Sequence, residues 1–128
     1  MYPVALPRSM DRHESALVGV GGFAGAIGRH AVALVVPSGS PWGTLSVNVA
    51  GAFLLGVFVF GTADLRRVPE SARLVVATGF LASFTTYSTF AAETVALSPV
   101  PATVYVFATY GVVFLAVGLA WGVVRWRF

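Results

Sequence analysis

The 128-residue chain contains no cysteine. That absence excludes a disulfide framework, thiolate chemistry and any cysteine-held metal. Charge is scarce as well. Only 10% of the residues are Asp, Glu, Lys or Arg, where a soluble domain carries about 25%. Hydrophobic residues make up 57% of the chain, and the mean hydropathy is +0.84. A chain this poor in charge is an integral membrane protein. His13 and His30 lack metal-ligand spacing and read as polar residues near helix ends. No serine has a nearby His or Asp partner in the sequence, so an enzyme is not expected. In a soluble protein a net charge of +3 and a pI near 10.0 would suggest nucleic acid. Here the arginines gather at the ends of apolar runs, where they set topology, and no nucleic-acid partner is expected.

Residues 1–14 form a polar lead-in. The apolar run at 16–36 exceeds the roughly 7–15 residues of a signal-peptide core and reads as a retained first span. Further spans are expected at 43–63, 72–97 and 102–124. Their connections are Pro37-Ser-Gly-Ser-Pro41, the charged Asp64-Leu-Arg-Arg-Val-Pro-Glu70, and Ser98-Pro-Val-Pro101, read as a tight turn. The fold expected is one all-α membrane domain over 1–128 with four transmembrane helices. Gly21/Gly25 in span one and Gly118/Gly122 in span four fall four apart and leave a bare face for a neighbouring helix. Arg29 lies well inside the first apolar run. An intramembrane arginine is a functional candidate by default, and snorkelling to the interface is the alternative. Asn48 is the only strongly polar side chain of span two; alone it reads as an interhelical hydrogen bond worth about 0.6–2 kcal/mol.

The third span departs from an ordinary crossing. Ser83, Thr85, Thr86, Ser88 and Thr89 put five hydroxyls within residues 83–89, and Glu93 follows. In hydrocarbon each unsatisfied polar group costs several kcal/mol, roughly, so these groups must face protein, water or an ion. Clustered hydroxyls also offer the backbone alternative partners and favour a local break in the helix. A helix broken at membrane depth is tolerated where the freed groups line a cavity or bind an ion.

Arg8, Arg12, Arg66, Arg67, Arg73, Arg125 and Arg127 lie on one side of a four-span protein, and the two opposite loops carry none. The positive-inside rule puts both termini in the cytoplasm of a cell-membrane protein.

Three segments resemble the signatures of the small fluoride channels, the Fluc family. They are Gly21-Gly-Phe-Ala-Gly-Ala-Ile-Gly-Arg29, Gly43-Thr-Leu-Ser-Val-Asn-Val-Ala-Gly51 and Gly79 onward through Thr85-Thr-Tyr-Ser-Thr-Phe90 to Glu93. The resemblance covers all four spans in order. It implies an antiparallel dimer in membrane lipid that lets fluoride leave the cytoplasm passively and so relieves fluoride toxicity. It also implies a structural, untransported Na+ at the dimer centre, held by backbone carbonyls at Ala82 and Thr85. Hard cations take such oxygen ligands. By motif position the anion path falls to Asn48, Tyr87, Phe90, Tyr105 and Thr109, with Ser88, Thr89 and Glu93 beside it and Arg29 in a vestibule. Amide and hydroxyl hydrogens can replace the water shell of fluoride, and aromatic rings can present a positive edge. Glu93 is expected to accept hydrogen bonds and so orient pore hydroxyls.

Ala82-Ser83 stands where the family has Gly-Gly, Tyr87 where it has phenylalanine, and Val113 where it has a second small hydroxyl. An antiparallel homodimer needs balanced arginines, and seven against zero is not balanced. The chain is therefore expected to pair either with itself or with an oppositely oriented homologue, as one non-conducting half of a heterodimeric channel. A small proton-coupled multidrug antiporter is the rival from another class. It needs a membrane-embedded carboxylate in span one, for which Glu14 is the only candidate.

Overall fold

The computed structural model describes residues 8–36, 40–62 and 67–127, and all regular structure among them is helical. Helix α1 (Arg12–Val35) opens on a capping box. The Glu14 N–H donates to Asp11 Oδ1 at 2.7 Å, and the Asp11 N–H donates to Glu14 Oε2 at 2.9 Å. This satisfies two helix-end donors reciprocally and starts the helix four residues before the apolar run. Arg8 also pairs with Glu14 at 2.5 Å. Glu14 is thus a helix cap with a cation beside it, which removes the membrane carboxylate that an antiporter requires.

Helix α2 (Trp42–Gly61) is the second crossing. The third begins as α3 (Glu70–Arg73), winds without interruption into a π-helical stretch (Leu74–Leu81) and continues as α4 (Ala82–Phe84). After a break it resumes as α5 (Tyr87–Ala96). Helix α6 (Pro99–Arg127) is the fourth. The crossings run 24, 20, 27 and 29 residues. At 1.5 Å per residue a bilayer core of about 30 Å needs about 20. The protein is a multi-pass membrane protein with four helical crossings. Residues 1–7, 37–39, 63–66 and 128, Arg66 among them, lie outside the described residues.

Ser98-Pro-Val-Pro101 is not a tight turn. Pro99 and Pro101 belong to the first turn of α6, where an N–H has no helical acceptor and its loss costs nothing. The first bond of the turn runs from the Ala102 N–H to the Ser98 carbonyl at 2.9 Å.

Two packings hold the crossings together: α1 lies along the π-helical stretch and α2 along α6. Gly21 and Gly25 are buried in the first. A Cβ at Gly21 would strike the Val75 carbonyl, and one at Gly25 the Phe80 carbonyl. The two backbones touch directly, as small residues four apart permit. Gly118 and Gly122 behave otherwise, because a Cβ at either would meet nothing within 4 Å. Their face is open. The buried core is small: Val47, Leu81, Phe90, Tyr105, Ala116 and Ala120. Phe23, Phe107, Phe114 and Trp126 are exposed, as expected where the solvent is lipid.

The third crossing breaks at Thr85 (φ −79°, ψ 158°) and Thr86 (φ −146°, ψ 119°), both extended. The break lies within the hydroxyl-rich run.

Candidate functional site

The break is held from outside its own helix. The Asn48 Nδ2 donates to the Thr86 carbonyl at 3.0 Å, and the Thr86 N–H donates to Asn48 Oδ1 at 2.8 Å. One carboxamide thus takes both backbone groups of the extended residue. Thr86 in turn caps α5: its Oγ1 accepts the Thr89 N–H at 3.3 Å and donates to Thr89 Oγ1 at 3.0 Å. The Thr85 hydroxyl turns back to the Leu81 carbonyl at 3.0 Å. Ser88 is exposed, with its hydroxyl 3.5 Å from that of Thr86.

These bonds strip two carbonyls of their helical partners. The N–H four residues after Ala82 belongs to Thr86 and goes to Asn48; the one four residues after Thr85 belongs to Thr89 and goes to the Thr86 hydroxyl. Ala82 and Thr85 also line one cavity together. Uncharged carbonyl oxygens freed at a helix break are ligands of the kind that a hard cation such as sodium takes. Alanine in place of glycine is no obstacle. Ala82 sits at φ −65°, ψ −33°, a conformation open to every L-residue.

Glu93 joins three helices. Its Oε1 accepts the Thr44 hydroxyl at 2.9 Å, and its Oε2 accepts the Tyr105 hydroxyl at 2.7 Å. The Tyr105 O–H is therefore engaged with a carboxylate. Tyr105 links this node to an aromatic cluster centred on Phe90, which is 7% exposed. The rings of Tyr87, Tyr105 and Tyr110 stand 5.9, 5.2 and 6.1 Å from it, tilted at 49°, 47° and 89°.

Two cavities flank the break. The first, about 400 Å³, is lined by Asn48, Thr85, Thr86, Tyr87, Phe90, Thr109 and Tyr110, and by no charged side chain. The Thr109 hydroxyl is buried there without a hydrogen-bond partner among the described residues. The second, about 350 Å³, is lined by Arg29, His30, Thr44, Thr86, Thr89 and Glu93. Thr86 lines both. The expected residues thus divide: Asn48, Tyr87, Phe90 and Thr109 lie on one side with Ala82 and Thr85, while Arg29, Thr89 and Glu93 lie on the other. Tyr105 connects through Glu93 and lines neither cavity; Ser88 also lines neither.

The CrcB-like protein, Camphor Resistance (CrcB) family model matches residues 16–124, which includes every residue of both cavities. The chain belongs to the CrcB-like family. A relative from Natronomonas pharaonis, named fluoride-specific ion channel FluC 1, is 64% identical over 118 residues. The match spans 92% of this chain and 99% of the relative. One of the same name from Haloarcula marismortui is 46% identical over 85% of this chain and 84% of its own. The fluoride-specific ion channel FluC of Methanocaldococcus jannaschii is 44% identical over 66% of this chain and 68% of its own.

Within this CrcB-like chain, Thr44, Thr86 and Tyr110 stand outside the residues expected from sequence. Thr44 had a signal: it precedes Asn48 by four and shares its helix face. Thr86 was one of five similar hydroxyls with nothing local to single it out. Tyr110 adjoins Thr109, and only the fold turns both toward one cavity.

Proposed function

We propose that the chain is a passive fluoride-selective channel, not an enzyme, that lets fluoride leave the cytoplasm and so relieves fluoride toxicity. The observation that carries this reading is the uncharged, donor-bearing cavity at the break. The partnerless Thr109 hydroxyl, the second N–H of Asn48 and the Tyr87 hydroxyl offer hydrogens, and no carboxylate lines this cavity. A buried donor without an acceptor costs about 1–3 kcal/mol, and a small, strongly accepting anion relieves that cost. Neutral donors attract the ion without trapping it, which conduction requires. Arg29 in the second cavity would raise the local anion concentration. Glu93, accepting from Thr44 and Tyr105, fixes hydroxyl orientation beside the path. The names of the relatives support the choice of fluoride.

The channel is an antiparallel dimer in the cell membrane, with both termini of this chain cytoplasmic. The open glycine face of α6 supports a second membrane-embedded copy there, because close helix approach needs small residues. The Ala82 and Thr85 carbonyls would hold a structural Na+, which supplies a fixed positive charge when bound. The arginine bias favours one further version, in which the oppositely inserted partner is a separate homologue.

The test is fluoride efflux from liposomes containing the purified chain, read with a fluoride electrode beside a chloride control. Rapid fluoride-selective efflux supports a working homodimer. Silence from the chain alone, followed by conduction after co-expression with a homologue, supports the heterodimer. Silence in both settings overturns the channel.

A further inference from the structure

The reading above uses Thr109 and leaves its neighbour Tyr110 without a role. Tyr110 lines the same cavity and is 48% exposed. Its ring meets Phe90 at 89° with centroids 6.1 Å apart, a favoured edge-to-face arrangement. The ring is thus positioned by packing that does not involve its hydroxyl. No group among the described residues accepts that hydroxyl, whereas the Tyr105 hydroxyl is engaged with Glu93. One turn beyond Thr109, Val113 lines the cavity with an isopropyl group and provides no donor. Of the three α6 residues that line this cavity, Thr109, Tyr110 and Val113, only Thr109 and Tyr110 carry a donor.

We propose that Tyr110 is an ion-contacting residue of the conduit, its phenolic O–H donating to fluoride beside the Thr109 hydroxyl in the place that Val113 leaves without a donor. The proposal rests on the fluoride-channel reading. A phenol O–H is a neutral donor, so it offers a hydrogen bond without adding a charge that would hold the anion. Fluoride, the most strongly accepting halide, gains most from it, so Tyr110 also contributes to discrimination against chloride.

The experiment compares wild type, Tyr110→Phe and Tyr110→Phe/Val113→Ser in liposomes, with fluoride and chloride efflux and thermal stability read on each. Co-expression with a homologue is used if the chain alone is silent. Phenylalanine keeps the ring and its contact with Phe90 and removes only the O–H. Tyr110→Phe is expected to melt like wild type and to conduct fluoride about tenfold more slowly, the size of one lost hydrogen bond to an ion. Adding Val113→Ser is expected to restore flux, which relief of a packing defect would not do. Tyr110→Phe that conducts like wild type overturns the assignment of Tyr110 alone. So does a slow Tyr110→Phe with lowered thermal stability and no rescue, because that pattern marks packing. A wild type silent in both settings overturns the channel reading, and the assignment with it.

Discussion

Asn48 and Thr86, 38 residues apart, are joined by two hydrogen bonds between one side-chain amide and one backbone residue. The carboxamide imitates a neighbouring peptide group. It satisfies a carbonyl and an N–H that the broken helix leaves over, at a depth where water is scarce. Asn48 also lines the first cavity, and Thr86 uses only one of the two Asn48 amide N–H groups.

Asn48→Asp is expected to keep the acceptor for the Thr86 N–H and to set a carboxylate oxygen against the Thr86 carbonyl. Leaving that carbonyl unpaired costs about 1–3 kcal/mol, visible as a lower unfolding temperature in detergent together with loss of fluoride efflux. Asn48→Ala removes both bonds and is expected to melt lower still. A variant pair that melts like wild type would mean that the break is held by something else.

Glu93→Gln keeps the shape and halves the acceptors. One of the Thr44 and Tyr105 hydroxyls then loses its partner. Efflux is expected to slow, and adding Tyr105→Phe to cost less than it does in wild type. Strict additivity of the two effects, measured as a double-mutant cycle, would show that the residues act apart.

Gly21→Ala and Gly25→Ala each push a methyl group into a backbone carbonyl. Overpacking of this kind costs about 1–3 kcal/mol, so both should lower the unfolding temperature. Gly118→Ala adds its methyl to open space and is expected to leave the fold of the single chain intact. Far-UV circular dichroism against temperature distinguishes the three.

Replacing sodium with a bulky organic cation is expected to lower thermal stability, and returning sodium to restore it, as for any ligand bound only by the folded state. Ala82→Gly should leave that response unchanged, because the alanine already has an unstrained backbone. A melting curve indifferent to sodium would argue against an ion at the freed carbonyls.

Much of this architecture is local in origin and so legible in the sequence. Apolar run length sets the four crossings, and the hydroxyls of residues 83–89 announce a break. The boundaries were less legible. Asp11 and Glu14 extend α1 through a cap, and Pro99 and Pro101 enter α6 because a first turn tolerates them. The site was legible as residue types and not as pairings. That Asn48 grips Thr86, that Glu93 reaches Thr44 across 49 positions, and that Thr86 lines both cavities are results of packing between crossings. No periodicity within a segment encodes them.

The π-helical stretch makes the site sensitive to chain length. Each residue advances an α-helix by about 100°, and π turns accommodate more residues per turn than α turns do. Removing one residue between Leu74 and Leu81 without a change of winding would break the register of this stretch against α1. Everything after it would then change heading by about a quarter turn or leave its place along the axis. An insertion or deletion in this segment therefore re-aims Thr86 and the cavity walls that follow it.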